Sequence, residues 1–193
     1  MLCVAKVANK YTFNGTSCTL FGKSALPASP SNTFRFFPLP DTLENRALGM
    51  IAYASSIFTS NPIYAPGRAV DLDETDNSQF ISETSDTSPW WLLYLGVTQT
   101  VYEIQIMTRR NYAPGRFHDV EVRVGNEYIA NGNFSSYTLF ATYKGPYNPA
   151  QGRLSCLSDG GVRGIYVSIK KMMVEYDSHL QIADVKVFVL KGI

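Results

Sequence analysis

From Asn45 onward the chain alternates between short apolar segments and clusters of Gly, Pro, Asn and Ser. Four segments place apolar residues at every second position, which is the period of a half-buried strand: residues 102–107, 117–124, 164–170 and 183–190. Residues 90–95 form a continuous apolar run, and residues 139–143 form a shorter one. No segment keeps the period of an amphipathic helix over about three turns. This pattern predicts an all-β fold, an antiparallel β-sandwich.

The first 42 residues have a different composition, which divides the chain into three parts. Residues 1–21 are a small segment bracketed by Cys3 and Cys18. Residues 22–42 are rich in Pro and Ser and are predicted to be a linker or an extended strap. Residues 43–193 are predicted to be the β-sandwich.

Composition excludes several classes of function. The chain has 193 residues with a net charge of +1, which argues against a general binder of nucleic acid or of membrane surfaces. No apolar run approaches the ~20 residues of a membrane span. The sequence has no GxSxG, HExxH or phosphate-binding loop, so we expect no catalytic activity.

The segment with the most side-chain hydrogen-bond donors is a Pro-Gly loop, which carries Arg109, Arg110 and Arg116. Each guanidinium offers five donors in a fixed fork, which suits a polar ligand such as a sugar or an oxyanion of a sulfated or sialylated glycan. The alternative is that these arginines form structural ion pairs with acidic side chains, for which the candidates are Glu83, Asp86 and Asp119.

Residues 43–193 carry six motifs, in order, that resemble those of the F-type lectins, a fucose-binding branch of the discoidin-like superfamily. The motifs are Asn45-Arg46-Ala47-Leu48-Gly49, Ala69-Val70-Asp71, Pro89-Trp90-Trp91 with Tyr94-Leu95-Gly96, Val122-Arg123-Val124-Gly125-Asn126, Ile165-Tyr166-Val167 and Ala183-Asp184-Val185-Lys186-Val187. The resemblance implies a jelly-roll-like sandwich. It also implies a secreted, glycan-binding or cell-adhesion protein.

The same resemblance implies a sugar site on the arginine loop. The family binds fucose with a His and an Arg-x-Asp-x-x-x-x-Arg/Lys motif, and Arg109 and Arg116 match its two basic positions. Asn111 replaces the Asp, and Ser82 or Glu83 replaces the His, so the ligand need not be plain fucose. The residues predicted to contact sugar are Arg109, Asn111, Arg116, Ser82, Glu83, Phe80 and Tyr112.

A structural calcium ion is also implied by the resemblance. Asp71 and Asp184 match the family's two side-chain ligands, and Arg68 and Asp73 would supply backbone oxygens. Calcium prefers six to eight such oxygen ligands. The alternative is an ordinary solvated acidic loop at residues 71–76.

A second function remains open, because discoidin-like domains also use this loop face to bind proteins. The chain would then be an interaction or adhesion module that has lost sugar binding. The aromatic residues predicted to carry that contact are Phe58, Tyr64, Phe80 and Tyr112.

Two further predictions concern the cysteines and the N-glycosylation sequons. Residues 3–21 resemble the end of an apple (PAN) domain, and we expect Cys3 and Cys18 to form a disulfide while the partner of Cys156 stays open. Asn14 and Asn133 begin N-glycosylation sequons, which would be used if the protein is secreted.

Overall fold

The computed structural model describes residues 42–174 and 179–191 in full, and the backbone of residues 3–5, 10–14 and 17–21. Nearly all of the predicted strap therefore lies outside the described residues. Among those that are described, no helix is long and apolar enough to cross a membrane.

Strands dominate the described part of the chain. They are β1 (Cys3–Ala5), β2 (Lys10–Asn14), β3 (Ser17–Phe21), β4 (Leu43–Asn45), β5 (Ala52–Ala54), β6 (Phe80–Ile81), β7 (Trp90–Met107), β8 (Val120–Gly125), β9 (Thr138–Tyr143), β10 (Leu154–Lys171), β11 (Gln181–Ile182) and β12 (Asp184–Leu190). Short 3₁₀ turns lie between them at Phe58–Ser60, Pro62–Tyr64, Pro66–Val70, Pro114–Arg116, Phe134–Ser136 and Pro149–Gln151.

The main sheet is antiparallel, and its two longest strands are shared between two layers. The strand order is β4-β12-β7-β10-β8-β9, with β5 on β7 and β1 on β10. The first part of β7 pairs with β5 and with the end of β10, whereas its last part pairs with β12 and with the start of β10. The all-β sandwich prediction is confirmed.

Both long strands change direction at irregularities in their pairing. The register between β7 and β10 shifts between Leu157 and Val162 and again between Gly164 and Tyr166. At Gly164 a Cβ atom would lie 2.7 Å from the carbonyl oxygen of Gly125, so a side chain does not fit. Such bulges bend a strand and increase its twist, which lets one strand serve both layers.

The continuous apolar run at the start of β7 is buried on both faces. Trp91 and Leu93 belong to the main core between the layers. Trp90 and Leu92 point the other way and pack in a second cluster under the loop that carries Phe134. Apolar and polar residues do not alternate in this part of the strand, because both of its faces are buried.

The predicted Cys3–Cys18 disulfide is wrong. Cys156 is fully buried and disulfide-bonded. Since the chain has three cysteines, its partner is Cys3 or Cys18, and those two cannot pair with each other. In the backbone ladder Cys3 stands opposite Cys156, which ties β1 to the main sheet. A Cα separation typical of antiparallel pairs lies within the range of disulfides.

Candidate functional site

The arginine loop is fixed at both ends by buried residues. At its start Thr108 is buried, and its hydroxyl donates to the carbonyl of Gln181 at 2.8 Å. At its end Phe117 is buried in the main core. Near that end the ammonium of Lys171, which is 1% exposed, donates to the backbone carbonyl of Arg116. A loop held in this way presents its side chains from a rigid frame.

Within this loop, two arginines and an aromatic ring come together. The guanidinium carbons of Arg109 and Arg116 lie 5.0 and 5.3 Å from the centroid of the Tyr112 ring. The Nε of Arg109 donates to Oδ1 of Asn111 at 2.9 Å. Ala113 has a left-handed backbone (φ 44°), which turns the chain into Pro114–Arg116 and brings Arg116 back towards Arg109. Tyr112 is 57% exposed, so the cluster faces solvent.

The third arginine of the loop is directed elsewhere. Arg110 donates from its side chain to the carbonyl of Glu74 at 2.8 Å, and its backbone N–H donates to Asp76 at 2.9 Å. It therefore attaches the arginine loop to the acidic loop at residues 71–76 and does not join the cluster around Tyr112.

Three residues predicted to contact sugar have other roles. Phe80 is fully buried in the main core, so its assignment as a ligand contact is wrong. Ser82 is also fully buried, and its hydroxyl accepts from the N–H of Leu180 at 2.9 Å, which excludes it as well. Glu83 uses its two oxygens to accept the N–H groups of Thr59 and Thr84 at 2.8 and 2.9 Å.

The acidic residues proposed as structural ion-pair partners are engaged with other groups. Asp86 accepts from the hydroxyl of Ser56 at 2.6 Å. Asp119 contacts the ring of His118 at 2.8 Å and the ammonium of Lys144. These contacts hold the pKa of Asp119 below its ordinary range, with Lys144 as the main cause. Arg109 makes its side-chain hydrogen bond to the neutral Asn111.

The arginine cluster lies outside two grooves found elsewhere on the described surface. One groove of about 200 Å³ lies beside Asp119 and Lys144, and another of similar volume lies beside Gly125 and Arg163. Neither includes Arg109 or Arg116. A ligand on the cluster would keep much of its own surface in water, which favours weak binding.

The other aromatic candidates pack on the protein itself. The rings of Phe58 and Tyr64 meet edge to face at 5.5 Å, and Phe58 also contacts His179 at 5.1 Å. Among the four aromatics considered for a protein contact, only Tyr112 is mainly exposed.

The two aspartates predicted to bind calcium through their side chains are engaged with other groups. The Asp184 carboxylate is buried, and its Oδ2 lies 2.8 Å from the Arg153 guanidinium. Asp71 accepts from the Ser78 hydroxyl at 2.6 Å, and Arg68 approaches it at 3.7 Å. Within residues 42–174 and 179–191, no three His, Cys, Asp or Glu side chains are grouped so that they could hold a metal ion.

Basic residues lie beside Asp184 and the acidic loop. Arg153 also lies 2.8 Å from Glu74, and the Lys186 ammonium lies 2.5 Å from Glu74. These contacts lower the pKa of Glu74, with Lys186 as the main cause. Burial raises the pKa of Asp184 in spite of the nearby Arg153. Sequence reasoning missed Arg153, Lys186 and Lys171, because no local motif marks a residue whose partner is distant in the chain.

One glycosylation site can be located. Asn133 is exposed, and its Oδ1 accepts from the N–H of Ser135 at 3.3 Å, which caps the turn Phe134–Ser136. Its modification stays a prediction, and the side chain of Asn14 lies outside the described residues.

Solved structures with similar folds include lectins and carbohydrate-binding modules. A fucolectin from the serum of the striped bass, Morone saxatilis, is 24% identical, with a TM-score of 0.64 over 78% of this chain and 48% of that chain. A fucose-binding module of Streptococcus pneumoniae is 19% identical, with a TM-score of 0.60 over 79% of this chain and 99% of the module. The family 32 module of C. perfringens NanJ, solved in complex with galactose, is 18% identical, with a TM-score of 0.57 over 72% of this chain and 93% of that module.

The fold is that of the lectin and carbohydrate-binding β-sandwiches. The chain spans about half the length of the striped bass fucolectin. No family model and no curated protein sequence matches the chain. No comparison supports the apple-domain resemblance of residues 3–21, which stays a prediction.

Proposed function

We propose that this chain is a non-catalytic carbohydrate-binding module that contacts a glycan with its arginine loop. Arg109 and Arg116 donate to sugar hydroxyls or to a glycan oxyanion, and Tyr112 offers an aromatic face to the ring. Similar solved structures are described as a fucolectin, as a fucose-binding module and as a module in complex with galactose, which supports a saccharide as the ligand class.

One observation carries this proposal, namely the shared position of two guanidiniums beside one exposed ring. Arg109 and Arg116 lie 5.0 and 5.3 Å from the Tyr112 ring, on a loop that is fixed by a buried threonine and a buried phenylalanine. A polar ligand with an apolar face, such as a sugar, could bind both the guanidinium hydrogen-bond donors and the aromatic ring.

Calcium is not included in the proposal, because Asp184 is paired with Arg153. We propose an extracellular location, which the disulfide at Cys156 supports, since disulfides persist in oxidising compartments.

A glycan array tests the function, followed by titration calorimetry with the best ligand. We expect Arg109→Ala and Arg116→Ala each to weaken binding about tenfold or more, because a hydrogen bond from a charged donor contributes roughly 1.5–3 kcal/mol. Tyr112→Ala should also weaken binding, and Tyr112→Phe should not.

Arg163→Ala is the matched control. Arg163 is an exposed arginine that lies beside Gly125, at the end of β8 opposite the arginine loop. Its loss should leave affinity unchanged. Full binding by Arg109→Ala would overturn the site, and an array without any bound glycan would favour the protein-interaction module instead.

A further inference from the structure

Arg153 lies between two carboxylates from distant parts of the chain. Its Nη1 is 2.8 Å from Asp184 at the start of β12, and its Nη2 is 2.8 Å from Glu74 in the acidic loop. The angles of both contacts depart from those of an aligned hydrogen bond, so attraction between charges is the main interaction. The side chains of Arg153 and Asp184 are 13% and 3% exposed, so water screens their attraction little.

This ion pair continues to the arginine loop through Glu74. The Glu74 carboxylate also binds Lys186, whose ammonium lies 2.5 Å away. The Glu74 backbone carbonyl accepts from the side chain of Arg110 at 2.8 Å. Asp76, two residues further on, accepts the backbone N–H of Arg110 at 2.9 Å. The acidic loop is therefore held by Arg153 and Lys186 on one side and holds Arg110 on the other.

We propose that the Arg153 guanidinium has, at this end of the sandwich, the structural role that a bound metal ion would otherwise have. It supplies the positive charge that joins the acidic loop to β12, and through Arg110 it positions the arginine loop. Its planar fork can meet two carboxylates at once, which the compact ammonium of a lysine cannot do from one position. The acidic loop and the arginine loop then need no divalent cation to stay in place.

The charges present explain why a metal would be disfavoured. Asp184 and Glu74 carry two negative charges, and Arg153 and Lys186 supply two positive charges within 2.8 Å of them. A divalent cation would have to displace a buried guanidinium, which would then lose its partners. Separating a buried ion pair is far more costly than separating an exposed one.

The first test compares the unmodified protein in EDTA and in millimolar CaCl₂ by thermal unfolding. We expect the same Tm in both solutions. A structural calcium ion present at 100 times its Kd would raise Tm by roughly 5–10 °C for a chain of this size. A rise of that size would overturn the proposal. This comparison needs no variant, so it tests the proposal even if Arg153→Ala does not fold.

The second test follows hydrogen exchange at the Arg110 amide in Arg153→Ala. We expect exchange there to increase about tenfold or more relative to amides in the central strands, because the Asp76 contact loosens before the sheet does. Arg163→Ala is the control, since Arg163 is exposed and lies beside Gly125, away from the acidic loop. Equal protection of Arg110 in both variants would show that Arg153 does not position the loop.

Neither measurement uses a glycan, although naming the arginine loop as the ligand loop rests on the proposed function. If the protein bound no glycan, the expected results of both measurements would be unchanged. A calcium-dependent Tm would leave the glycan array unchanged.

Discussion

The buried ammonium of Lys171 donates to the backbone carbonyl of Arg116, one of the two arginines beside the Tyr112 ring. Lys171 ends β10 and pairs with Val120 at the start of β8, so the sheet itself sets the position of this ammonium. The arginine loop is thus fixed by a strand that is distant from it in sequence.

Replacing this lysine with an apolar residue should loosen the arginine loop. We expect Lys171→Met to lower the free energy of unfolding by about 1–3 kcal/mol, because the Arg116 carbonyl loses a buried donor. Glycan affinity should fall together with it. Urea unfolding and titration calorimetry measure the two effects.

Lys170→Met is the matched control for that variant. Lys170 is the preceding residue, and its ammonium donates to the carbonyl of Gly132 at 2.8 Å, away from the arginine loop. This substitution should cost stability and leave glycan affinity unchanged. Equal affinity losses in both variants would contradict a specific role for Lys171.

The neutral Asn111 should control the charge preference of the site. Asn111→Asp would pair a carboxylate with the Nε of Arg109 and reduce the positive charge of the loop. We expect affinity for sulfated or sialylated glycans to fall about threefold or more at low salt, and the difference to shrink near 0.5 M NaCl.

The control is Asn133→Asp, an exposed Asn whose Oδ1 accepts a backbone N–H and not an arginine side chain. Both proteins would be produced without glycosylation. If Asn111→Asp and Asn133→Asp change the affinity for a charged glycan equally, the effect is one of net charge and Asn111 has no local role.

Acid stability should depend on Asp119. The pKa of this carboxyl is lowered from 3.8, mainly by Lys144 and then by His118. A lowered pKa means that the stability it contributes is complete above about pH 4 and is lost as the pH falls through the folded-state pKa.

Asp119→Asn removes the charge with little change of backbone conformation. Asp119 has a positive φ of 49°, a region that Asn tolerates well. The variant should lose stability at pH 7 and show a shallower decline between about pH 5 and pH 2 in urea unfolding. A decline as steep as that of the unmodified protein would show that other carboxylates dominate.

The disulfide of Cys156 should join it to Cys3. The two residues stand opposite each other in the β1–β10 ladder. We expect non-reducing peptide mapping to yield a Cys3–Cys156 cross-link and a Cys18 thiol that reacts with alkylating agents in denaturant. A Cys18–Cys156 cross-link would contradict this assignment.

The sequence by itself determined the fold class and much of the arginine loop. Alternate apolar residues indicate a strand face, because the period of two is a local property of extended chains. Arg109, Asn111 and Arg116 lie on one short loop, so their spacing alone keeps them near one another. The Arg109–Asn111 hydrogen bond is correspondingly local.

Only the tertiary structure decided which polar and aromatic residues are available. Phe80 and Ser82 were predicted to contact the ligand, but both are buried at the short β6–β11 pair. The partners of Asp184, Arg116 and Cys156 come from parts of the chain that are distant in sequence. Those contacts depend on strand register, and shifting one strand by a single residue would turn its side chains to the other face.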